Sequence, residues 1–83
     1  MEIHIPKGSA VSIKRGDCFD LIFDEDGEIN HDNKTPLDPP LTKHAVKAHE
    51  RSHHCAKQKG KVELQFTSPG SALATTRTIL IGD

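Results

Sequence analysis

His49 and His53 stand four residues apart, a spacing that brings two imidazoles to one face of a helix and that metal sites use. The run His49-Glu50-Arg51-Ser52-His53 matches the HExxH pattern letter for letter, in which the glutamate acts as a general base. A protease of that type also needs a third ligand and a substrate cleft. The third ligand would have to be His4, His31 or Cys18, which the sequence leaves unplaced. Cys55 and His54 lie well around a helix from the pair at about 100° per residue. Peptidase activity is therefore not expected, and zinc held by His49 and His53 stands as an alternative to a chain with no cofactor.

The other reactive side chains give less. Cys18 and Cys55 lack a local pattern that would activate a thiol beyond the help of a neighbouring imidazole. Two cysteines without a secretion signal read as free thiols. The cluster Asp24-Glu25-Asp26-Gly27-Glu28 is not a calcium loop, because placing Gly27 sixth puts Ile22 first and Asn33 twelfth. No phosphate-binding glycine loop or nucleophile elbow occurs. The expectation is a chain that is not an enzyme.

Charge is divided along the chain. Eight acidic residues fall between Asp17 and Asp38 against Lys34 alone, and six basic residues (Lys43, Lys47, Arg51, Lys57, Lys59, Lys61) follow against Glu50. These six are the candidate contacts to nucleic acid or a protein partner. A net charge of −1 argues against coating nucleic acid or a membrane by bulk electrostatics, and no aromatic residue interleaves with the basic stretch to stack on bases. No apolar run approaches the length of a membrane span, and the N-terminus lacks the blocks of a signal peptide. The expected location is the cytoplasm on synthesis.

The elements that must position these groups read mostly as strands in a single domain, residues 1–83. Apolar residues alternate with polar ones at Ile3 and Ile5, Val11 and Ile13, Phe19, Leu21 and Phe23, and Val62, Leu64 and Phe66. Thr75 to Ile81 is a further β-branched run. Asp26-Gly27 predicts a two-residue hairpin folding Leu21–Glu25 back on Glu28–Asn30. Three prolines between His31 and Pro40 predict a loop. The segment 41–59 has no Gly or Pro and favours a helix by propensity, with Thr42 as N-cap. Read as a strand, it places Val46 and Ala48 on one side and Lys47, His49 and Arg51 on the other.

The order of these features resembles small phage tail and baseplate domains. The counterparts are Ile13-Lys14-Arg15-Gly16-Asp17-Cys18-Phe19, Asp24-Glu25-Asp26-Gly27, Pro36-Leu37-Asp38 with Leu41-Thr42, Val46-Lys47-Ala48-His49-Glu50-Arg51, and Val62-Glu63-Leu64-Gln65-Phe66. The resemblance implies a small antiparallel immunoglobulin-like sandwich with 41–54 extended. It also implies a non-catalytic structural or adaptor module assembled into a virion (tail, baseplate or capsid decoration). The partner expected is another protein or further copies of the chain, with no membrane. Two alternatives stand beside it. One is an α+β regulator or inhibitor, an antiparallel sheet with one helix at about 41–59, that contacts nucleic acid or a protein through 43–61. The other is a zinc-binding module.

Overall fold

A computed structural model describes residues 1–7, 10–31 and 36–83. It is an all-β sandwich, and no helix occurs among the described residues. The strands are β1 (Glu2–Ile5), β2 (Ala10–Lys14), β3 (Cys18–Phe23), β4 (Gly27–His31), β5 (Leu37–Asp38), β6 (Ala45–Val46), β7 (Glu50–Ala56), β8 (Gly60–Thr67) and β9 (Ala74–Gly82). One sheet has the order β1-β3-β7-β5 and the other β2-β9-β8-β4-β6.

The alternation seen in the sequence is the alternation of burial. Ile3 and Ile5 of β1, Phe19, Leu21 and Phe23 of β3, Val62, Leu64 and Phe66 of β8, and Ile79 and Ile81 of β9 all enter one core. Each large apolar side chain taken out of water there stabilises the fold by roughly 1.5–3 kcal/mol. With only three aromatic rings, the core depends on every one of them, and all three are buried. The pairing is antiparallel through most of both sheets, but β1 lies parallel to β3 and β2 parallel to β9.

Three local expectations are corrected. Gly27 does not turn a hairpin: β3 belongs to the first sheet, whereas β4 pairs with β6 and β8 in the second. The chain therefore crosses between layers at Asp24–Asp26. Gly27 is needed for close approach instead, because a Cβ there would meet the Phe66 ring and lie 2.7 Å from the Thr67 carbonyl oxygen. The proline-rich stretch is also not wholly a loop, since Leu37–Asp38 pairs with β7; residues 32–35 of that stretch lie outside the described residues.

The third correction is the helix over 41–59, and with it the α+β regulator. That segment forms β6, a turn, and β7. Glu50 N–H donates to the Lys47 carbonyl, closing the turn, and His49 sits within it at φ 69°. Strand pairing on both sides of β7 and burial of Val46, His54 and Ala56 outweigh a helix propensity worth only tenths of a kcal/mol per residue. Among the described residues no helix is long and apolar enough to cross a membrane.

Gly27→Ala should destabilise the domain by about 1–3 kcal/mol through overpacking against Phe66, read as a lower melting temperature. A change within error would show that Phe66 has room to move.

Candidate metal centre

Strands β3 and β7 run antiparallel, with Cys18 opposite Cys55 and Asp20 opposite His53. Residues two apart on a strand share a face, so these four side chains form a square on the outer face of the first sheet. Their inward neighbours Phe19, Leu21 and His54 are buried. The ligand atoms of Cys18, His53 and Cys55 all lie within 4.8 Å of one another. It is the one group of three or more such ligand residues among the described residues.

The two sulfurs are joined in a disulfide across the strands, with the Cα atoms 3.9 Å apart. The expectation of free thiols is thereby corrected. Opposed positions on paired antiparallel strands bring side chains within bonding reach, and a sequence separation of 37 residues hides that closeness.

His53 is held by its neighbour. Its Nδ1 donates to Asp20 Oδ1 at 2.8 Å, which leaves the Nε2 lone pair as the ligating position. Arg51 Nη1 lies 3.4 Å from the other Asp20 oxygen, and Arg51 Nη2 lies 3.4 Å from Glu2. The hydrogen bond from His53, with Arg51 beside it, holds the Asp20 carboxyl below its ordinary value. On the far side, Asp38 of β5 stands opposite Cys55.

The residues singled out from sequence are dispersed. His53 joins the cysteines, while His49 stays in the turn before β7 and outside that group. Lys43 is paired with Glu50, Arg51 with Glu2 and Asp20, and Lys61 with Glu63 at 3.7 Å. Lys47, Lys57 and Lys59 are exposed. No signal short of knowing the β3·β7 register would have joined Cys18 and Cys55 to His53.

His54 takes the opposite side of the sheet and a different role. Only 2% exposed, it donates from Nδ1 to the Pro39 carbonyl and accepts at Nε2 from the Ser52 hydroxyl, both at 2.6 Å. That arrangement fits a neutral ring, and burial lowers its pKa from 6.5 despite the Pro39 bond. His4 is shifted the other way. Its hydrogen bond to Asp24 raises its pKa, aided by Glu2.

No family model and no curated protein matches the sequence. Solved structures do match in fold. An oxidised amicyanin variant aligns over 98% of this chain and 80% of its own, at 16% identity and a TM-score of 0.62. A reduced variant gives 14% and 0.67, and a Cu(I) variant 13% and 0.63, over the same shares. The fold is therefore cupredoxin-like. This likeness, together with the cysteine–histidine group, overturns the phage tail resemblance and the structural virion module drawn from it. The expectation of no cofactor is corrected on the same two observations, and the zinc alternative gains no support from them.

The two shifted histidines make a pH prediction with opposite signs. His54 binds a proton more weakly folded than unfolded, so its contribution to stability is present above pH 6.5 and lost as pH falls through and below that value. His4 contributes below 6.5, and that contribution is lost as pH rises through its raised value. Histidine-resolved NMR titration should place His54 below 6.5 and His4 above it. His54→Gln should flatten the loss of stability on acidification.

Proposed function

We propose that this chain is a non-enzymatic copper-handling domain that holds Cu(I) at Cys18, Cys55 and His53 once the cysteines are reduced, and exchanges copper or electrons with a protein partner. The observation that carries this reading is the convergence of two sulfurs and a ring nitrogen within 4.8 Å on an open sheet face. The fold adds support, because the solved structures sharing it include a Cu(I) form.

The donor set decides which copper chemistry fits. A blue-copper centre takes two histidines, one cysteine and a weak axial methionine. Among the described residues no such set converges. The chain's single methionine is Met1, 61% exposed at its start. The loop between β8 and β9, residues 68–73, contains no Cys, His or Met. Two thiolates and an imidazole instead suit a soft, low-coordinate ion such as Cu(I). Bound there, the ion supplies a one-electron couple.

The chain's own residues would do the rest. Cys18 and Cys55 give up their protons to become ligands. Asp20 holds the His53 ring through Nδ1, which leaves Nε2 with the lone pair that a metal could take. The rigid β3·β7 ladder keeps the ligands on one face before any metal arrives.

Titration of reduced protein with Cu(I) against a competing chelator should show one tight site. Cys18→Ser and Cys55→Ser should each abolish it, and Asp20→Asn should weaken it by roughly 10–100-fold, as expected for loss of a ligand's orienting partner. Cu(II) should give no intense blue colour. Reduced protein that binds Cu(I) no better than the double serine variant would refute the reading.

A further inference from the structure

The Cys18–Cys55 bond lies on the outside of a sheet and does not cross-link the two layers. Its two ends are unequal: Cys18 is exposed and Cys55 is half-buried. An incoming thiolate therefore reaches Cys18 Sγ more readily. Opening the bond uncovers no core, because Phe19, Leu21 and Phe23 point to the other face. The strands also stay tied beside it. Gly16 N–H donates to the Ala56 carbonyl and Ala56 N–H to the Asp17 carbonyl, both at 2.8 Å. Accessible disulfides of this kind are the ones that exchange, whereas inaccessible structural ones resist reduction.

We propose that Cys18–Cys55 is a thiol–disulfide exchange centre that accepts two electrons from a dithiol, with Cys18 as the sulfur attacked. One thiolate of the dithiol bonds to Cys18 Sγ as the Cys18–Cys55 bond breaks, and the electron pair stays on Cys55 Sγ, which takes a proton from water. The second thiolate of the reductant then attacks its own partner sulfur and expels the Cys18 thiolate, which is protonated in turn. The reductant leaves as a disulfide, and the protein has gained two electrons and two protons. The His53 ring, within 4.8 Å of both sulfurs and held by Asp20 at Nδ1, offers the Nε2 lone pair as an acceptor for the thiol S–H once the sulfur set free is protonated. The inference concerns the same cysteines as the copper reading but does not depend on copper.

The test uses oxidised wild-type protein, without metal or denaturant, under anaerobic conditions. Treatment with dithiothreitol, followed by alkylation and mass measurement, should show both cysteines labelled while the far-UV β-sheet spectrum is unchanged. With excess glutathione, peptide mapping should place the trapped mixed disulfide on Cys18 over Cys55 by about tenfold, reflecting access to the attacked sulfur. Labelling that requires denaturant, loss of the sheet spectrum on reduction, or an adduct mainly on Cys55 would each overturn the proposal. Cu(I) uptake is measured separately on protein reduced in denaturant and refolded without oxidant. Uptake there, with an inert native disulfide, would sink the exchange centre alone. Ready exchange without Cu(I) uptake would sink the copper reading alone.

Discussion

Antiparallel pairing of β3 with β7 fixes both faces of the first sheet at once. Phe19 stands opposite His54, and Leu21 opposite Ser52, on the inner side, while Cys18 stands opposite Cys55 and Asp20 opposite His53 on the outer side. A slip of one residue would turn Phe19, Leu21 and Phe23 into water and carry the cysteines inward. The hydrophobic gain of three buried side chains therefore enforces the geometry of a polar site that contributes little to packing. His54 takes part from the inner side, its ring held between Ser52 and the Pro39 carbonyl and 6.0 Å from Phe19. Chemistry on one face is specified by burial on the other.

Fold and site point in related but separate directions. The sandwich is shared with amicyanins at a TM-score above 0.6, although only about one residue in seven is identical. A fold can carry a different site on the same frame, and the cysteine–histidine group here lies on paired strands, whereas the loop joining the last two strands contains no Cys, His or Met. Two sulfurs on adjacent strands have a chemistry that a single cysteine lacks, since they can bond to each other. The structure holds the pair as a disulfide, and reduction would turn it into a dithiol on the same two strands.

Much of the core was legible in sequence because period-two burial needs no knowledge of partners: Ile3, Ile5, Phe19, Leu21, Val62, Leu64 and Phe66 all lie inside as their alternation predicts. What the pattern omits is which strand pairs with which. Asp26-Gly27 carries a hairpin signal, yet the chain there passes from one sheet to the other, and Gly27 is required by the Phe66 ring. Segment 50–56 has only Ala56 and His54 to bury, too few for an alternation to show, so its strand character comes from its neighbours. The site was hidden for the same reason. His49 and His53 are close in sequence and invite a helical reading, whereas Cys18 and Cys55, 37 residues apart, meet only through the ladder.

The disulfide and the core share the work of holding β3 to β7, and their relative weights decide whether the dithiol form is a folded state. Closing a loop of 37 residues constrains the unfolded chain by about 3–4 kcal/mol on the entropy argument. That is a sizeable fraction of the 5–15 kcal/mol typical of a small domain, so reduction must lower stability. It does not remove the cause of folding, because the bond buries no core residue and the ladder beside it is intact. Ligation by the same two sulfurs would close the same loop, since a shared ion links the strands at the positions the covalent bond occupied. The dithiol without metal would then be the least stable of the three forms, and both oxidation and ligation would draw the chain away from it.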